Sequence, residues 1–144
     1  MTHDDAGHYA AKHGPEATYQ PEIAAAVQAA ARDLRLGCAA AHGIAVRFAV
    51  APAEVGKTMD LLECRLTKCQ LGLFGYKPEK KIVKPAKTIS RDLEQMIRQA
   101  TANNKLACAR CWQIAADSSL PRMDVAAACE ALGIKISPCQ LGAF

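Results

Sequence analysis

The sequence predicts a mainly α-helical protein made of two tandem copies of a three-helix unit with short β segments, the copies related by a pseudo-twofold axis. Three observations carry this. The stretch Cys69-Gln70-Leu71-Gly72-Leu73-Phe74 returns as Cys139-Gln140-Leu141-Gly142-Ala143-Phe144. The offset of 70 residues then holds without a gap back through Leu36/Leu106, Cys38/Cys108, Ile44/Ile114, Ala45/Ala115, Val55/Val125 and Leu62/Leu132. Within each copy, apolar residues recur at helical spacing in three successive stretches. An internal period fixes the fold unit before any other property does, and one copy, at about 55 residues, has the size of a small domain. The expected organisation is a tail over residues 1–18, a first repeat over 19–76, a basic linker over 77–88 and a second repeat over 89–144.

Residues 1–18 are polar and small without a sustained period, so they read as a solvated arm. His3, His8 and His13 invite a metal reading, but every-fifth spacing spreads the rings around a helix and no acidic or thiol partner completes a set. Pro21 opens the first helix at its tolerated position, Glu22 suits the positive end of the helix dipole, and Ile23, Val27, Ala30 and Leu34 form one apolar stripe. In the second copy Ser90 is an N-cap, Leu93, Ile97 and Ala100 repeat the stripe, and Asn103-Asn104 ends it. The next helix, about 37–49, buries Cys38, Ala41, Ala45 and Phe48, and its twin buries Cys108, Cys111 and Ala115. A third helix, about 53–63 and again 123–132, turns Val55, Met59 and Leu62, or Val125, Cys129 and Leu132, inward.

The spacing between the second and third helices is informative. Ile44, Ala45, Ala49, Val50 and Val55 occupy the positions where a helix-turn-helix needs a small residue in its first helix, a small residue in the turn and apolar residues locking the two helices together. Ile114, Ala115, Ser119, Leu120 and Val125 repeat that spacing, with Ala49 and Ser119 standing where glycine is usual. Short β-prone segments follow, 64–67 and 134–137, and lead into the shared Cys-Gln-Leu-Gly, so each unit reads as a reduced winged helix. Leu71, Phe74, Leu141 and Phe144 are expected to pin this segment to the helices; alternatively the two copies of the segment pair with each other.

These stretches resemble helix-turn-helix transcription regulators, and the chain as a whole is similar to small bacterial relatives of the molybdate-responsive repressor family. The resemblance implies DNA binding by the third helix. It does not imply a ligand, because that family senses molybdate in a separate domain for which this chain has no room.

Charge bears on that implication. The net charge of +4 is unevenly spread: Lys57 to Arg110 holds 12 basic and 5 acidic residues, while the flanks are slightly acidic. Duplex DNA is the expected partner, contacted through Lys57, Thr58 and Arg65 of the first copy and Arg122 and Lys135 of the second, with Lys80 and Lys81 of the linker on phosphates. Glu54 and Asp124, in the first turns of the third helices, oppose this. A protein-interaction module without DNA binding is one alternative, and a homo-oligomer is open beside the pseudo-dimer within the chain.

Two further motifs bear on function. Ala51 to Thr58 fits a relaxed phosphate-loop pattern, yet its counterpart Pro121 to Ala128 lacks Gly-Lys-Thr and a single glycine offers too few free N–H groups. Seven cysteines without a secretory signal read as reduced thiols of a cytoplasmic protein. Cys108 and Cys111 share a CxxC spacing beside Arg110. Cys38/Cys69 and Cys108/Cys139 recur in both copies and, if they converge, offer thiolates to a zinc ion or to a redox sensor. No other cofactor, no enzymatic activity and no membrane contact are expected.

Overall fold

The computed structural model describes residues 8–144; His3 and the rest of residues 1–7 lie outside the described residues. The chain is mainly helical, and it divides into two compact units. One comprises the chain up to Cys69 together with Leu141–Phe144, and the other comprises Gln70–Gln140.

In the first unit, α1 (Pro21–Ala30) is followed by β1 (Arg35–Gly37), α2 (Cys38–Arg47), α3 (Pro52–Leu61) and β2 (Arg65–Thr67). Proline stands in the first turn of both α1 and α3, where its missing N–H costs nothing. β1 and β2 pair in parallel, Arg35 opposite Arg65 and Leu36 opposite Leu66. Parallel pairing needs a long crossover, and α2 with α3 supplies it. The core holds Ile23, Val27, Leu36, Ala41, Val55, Met59 and Leu66, closed by Leu141 from the C-terminus.

The second unit contains α4 (Arg91–Ala100), β3 (Lys105–Leu106), α5 (Cys108–Ser118), α6 (Arg122–Leu132) and β4 (Lys135–Ile136). Each element begins 70 residues after its counterpart. β3 and β4 again pair in parallel, Lys105 opposite Lys135. Ser90 caps α4, its Oγ accepting from the Leu93 amide at 3.1 Å. Leu71, Ile97, Leu106, Val125 and Cys129 are fully buried here.

Several expectations require correction. Each strand after a third helix pairs with a strand before the second helix, so the described residues contain no antiparallel wing. The sequence reading missed β1 and β3 because three or two residues are too few for an alternation to show. The Cys-Gln-Leu-Gly copies form no strand and do not pair with each other. Leu71 and Leu141 are buried as expected, but Leu71 completes the second unit and Leu141 the first, while Phe74 and Phe144 are only half-buried. The stripe of α1 stops early: Ala30 is exposed, and Leu34 lies beyond the helix with 61% of its surface exposed.

Leu34 owes that position to a tight turn. Arg32 and Arg35 exchange both backbone hydrogen bonds at 2.9 Å, with Asp33 and Leu34 between them at φ of 51° and 57°. Two consecutive positive φ values are what a two-residue mirror-image turn demands. Asn103 and Asn104 occupy the matching turn at 51° and 60°, and asparagine tolerates this region far better than leucine.

The arm is exposed over most of its described length but is anchored between Tyr9 and His13. Tyr9–Lys12 forms a 3-10 helix with Tyr9 buried, and the Glu63 carboxylate accepts from the Tyr9 and Ala10 amides, both at 2.9 Å. Asp60, 2% exposed, receives Lys12 at 3.1 Å and lies 2.8 Å from His13 Nε2. His13 thus belongs to an ionic cluster on α3 and not to a metal set; His8 is exposed.

Candidate nucleic-acid interface

The helix-turn-helix spacing has a structural counterpart. The axes of α2 and α3 turn through 116°, within the range of about 90–120° for this motif. Ala49 takes a left-handed φ of 54°, and the Val50 amide reaches back to the Ala45 carbonyl at 3.0 Å. Ser119 does the same at 54°, with Leu120 bonded to Ala115 at 2.9 Å. The small residues at Ala45 and Ala115 are buried beneath these turns.

The third helices, however, are poorly placed to enter a groove. Along α3, Val55, Gly56, Thr58, Met59 and Asp60 are all buried. A Cβ on Gly56 would overlap the carbonyl oxygen of Leu141 and stand 2.6 Å from its carbonyl carbon, so main chain lies directly against the helix. The arm occupies Asp60. In the second unit, Ala126 and Ala128 are buried, the Ala86 amide donates to the Ala127 carbonyl at 2.9 Å, and Gly72 packs beside Met123, Ile82 and Val83. Each third helix is therefore a central helix, covered by a Leu-Gly segment and by a second stretch of chain.

The sequence-derived contacts separate accordingly. Thr58 is fully buried and its hydroxyl donates to the Glu54 carbonyl at 2.8 Å, which removes it from any DNA surface. Lys57 is half-buried and paired with Glu54 at 3.3 Å. Arg122 is exposed but stacks over the Trp112 ring at 3.5 Å and reaches Gln70 at 3.4 Å. Lys81 pairs with Glu130 at 2.7 Å. Beside Lys81, the connector residues Ile82 and Val83 bond to the Gly72 carbonyl, so residues 77–88 are not a free linker throughout. Gly56, Lys57 and Thr58 lie inside α3, which leaves no phosphate loop there.

Arg65, Lys80 and Lys135 are exposed and have no ion-pair partner among the described residues. The strand pairing adds two cations that sequence reasoning missed, Arg35 and Lys105, each exposed and set directly beside Arg65 or Lys135. The signal existed: residues 35/105 and 65/135 are both basic at the 70-residue offset. It was overlooked because β1 and β3 were not foreseen.

None of the seven cysteines forms a disulfide; six are buried and Cys139 is half-buried. Among the described residues no group of three or more His, Cys, Asp or Glu side chains is placed to hold a metal ion, and none of Cys38, Cys69, Cys108 and Cys139 belongs to such a group. Cys111 of α5 and Cys129 of α6 meet in the second unit. Cys111 donates to Cys129, which together with burial pushes the Cys111 pKa up, while the accepted hydrogen bond holds Cys129 below its ordinary value. Gln140 Nε2 donates to Cys108 Sγ at 3.4 Å. Among the described residues no single helix is long and apolar enough to cross a membrane.

Protein-family models, curated proteins and solved structures yield no match to this chain.

Proposed function

We propose that this protein is a non-enzymatic DNA-binding regulator built from a duplicated helix-turn-helix, the two copies acting as a pseudo-dimer within one chain. The observation that carries the reading is the helix-turn-helix geometry itself: a 116° crossing between α2 and α3 joined through a left-handed small residue, with the same turn at Ser119. The common element order and constant 70-residue offset support duplication. The net charge of +4 is in the right sense for a polyanion. Because the third helices are covered, contact with the duplex falls to exposed cations outside them, and binding is governed by phosphates more than by base edges.

A salt series of fluorescence-anisotropy titrations with a mixed-sequence duplex tests this. Affinity that falls steeply and linearly in log–log form with salt supports phosphate contact. Absence of binding at 50 mM salt overturns it. The covering of α3 and α6 favours a second reading, a protein-interaction module using the exposed Ala39, Ala40, Gly43 and Val46 face of α2; binding through such a face persists at high salt.

A further inference from the structure

Cα partners on parallel strands lie about 4.8 Å apart and project their side chains to the same face. This chain sets two cations at such positions in each unit: Arg35 beside Arg65, and Lys105 beside Lys135. The next residues, Leu36 with Leu66 and Leu106 with Ile136, point the other way into the core, which fixes the cations outward. Like charges in register destabilise a strand pair, and a neutral residue at either position would relieve the repulsion. The second unit changes both arginines to lysine and still keeps the charge. No acidic side chain forms an ion pair with these cations among the described residues. Asp33 in the adjoining turn makes no ion pair among the described residues, and the Glu63 carboxylate is engaged by the Tyr9 and Ala10 amides. In the second unit Asn103 and Gly133 stand where the first has Asp33 and Glu63.

The geometry points to a phosphate clamp in each unit, Arg35 with Arg65 and Lys105 with Lys135, each pair gripping one backbone phosphate of a nucleic acid. The inference rests on the DNA-binding reading above and names the groups by which the duplex is held. A phosphate oxygen placed between two cations removes their mutual repulsion and takes a charge-assisted hydrogen bond from each. In the first unit Arg32 and Lys68, both exposed, flank the pair.

The full-length chain is compared with Arg65→Gln, Arg35→Gln/Arg65→Gln and Lys105→Gln/Lys135→Gln. Two probes are used: a mixed-sequence 20-bp duplex, and inorganic tripolyphosphate, which carries phosphate without grooves. Melting temperatures of the double variants are expected to stay level or rise, because repulsion is relieved. Each double variant should lose about tenfold or more in duplex affinity and flatten the salt slope by about one. Arg65→Gln alone should lose nearly as much as the double variant, since half a clamp holds little; a single-variant loss of only about half the double variant's on a logarithmic scale overturns the clamp. Duplex binding by the wild type with unchanged slopes in the variants overturns the clamp and leaves the DNA reading standing. If the wild type binds no duplex, the DNA reading fails, and tripolyphosphate decides the site: binding lost in the double variants supports it, and no binding overturns it.

Discussion

Leu141→Ala should weaken the first unit and spare the second, although Leu141 lies next to the end of the second copy in sequence. Leu141 is 3% exposed and its carbonyl lies against Gly56 in the middle of α3. Truncating a buried leucine costs about 2–5 kcal/mol, depending on how far the site collapses. Gly56 and its backbone neighbour leave little room for collapse, so the cost should be about 3 kcal/mol. At 1.4 kcal/mol per tenfold, this speeds exchange of the most protected amides by about 150-fold. Hydrogen exchange followed by mass spectrometry reads the effect by segment. Loss of protection is expected in α1–α3, centred on Pro52–Leu61, with α4–α6 unchanged. Leu71→Ala, at a fully buried position of the second unit, should give the complementary map. If Leu141→Ala instead loosens Arg122–Leu132, each Leu-Gly segment packs on its own copy and the division of the chain described above is wrong.

Ala49→Gly and Ser119→Gly should each raise stability by about 0.5–1 kcal/mol in urea unfolding, because a left-handed φ of 54° strains any Cβ; a loss would mean that the turn relies on the side chain. Leu34→Asn should gain a similar amount by giving the first turn the residue found in the second, and should also remove an exposed leucine. Glu63→Ala takes the shared acceptor from the Tyr9 and Ala10 amides and should expose the arm, lowering stability by about 1–3 kcal/mol; limited proteolysis that cuts near His13 no faster than in wild type would refute this. Thiol burial sets an alkaline limit. Cys64 and Cys111 both have folded pKa values raised above 9.0, so the folded state holds more protons than the unfolded one once pH exceeds about 9, and stability must fall there. Cys129, lowered, acts in the opposite sense: its contribution is lost as pH falls through its folded pKa and is complete above 9. The melting temperature should therefore drop between pH 9 and 10, and Cys64→Ala should make the drop shallower.

Legibility of this chain in its sequence follows the range of the interactions involved. Helices were readable because their signals are local: Pro21 and Pro52 at first turns, Ser90 as a cap, and the spacing of Ile23 with Val27 or Leu93 with Ile97. The left-handed turn at Ala49 and Ser119 was readable because an apolar frame of fixed spacing surrounds it. Strand partners were not, since β1 and β2 are separated by two helices and neither is long enough to alternate. The destination of Leu141 was equally hidden: the residue is marked as buried by its type and repetition, but nothing local states which helix it buries against.

The candidate site depended on both kinds of information, which explains why its residues were half found. The resemblance to helix-turn-helix regulators implied α3 and α6 as recognition helices, and their burial argues against that role. Gly56 is the residue at which the two descriptions part. On an exposed helix, glycine at this position loses conformational entropy without compensation. Against the Leu141 backbone no Cβ fits at this position, whereas Ala126 occupies the equivalent place in the second unit. Once the third helix serves as the core of its unit, the basic residues on it, Lys57 with its Glu54 partner and Arg122 over Trp112, lose the freedom that a base contact needs. Apart from Lys80, the sequence-derived cations with neither an ion pair nor a ring contact among the described residues lie on the strands, where pairing places Arg35 with Arg65 and Lys105 with Lys135. Phosphates, which demand charge and spacing but no particular groove geometry, suit that arrangement better than base edges do.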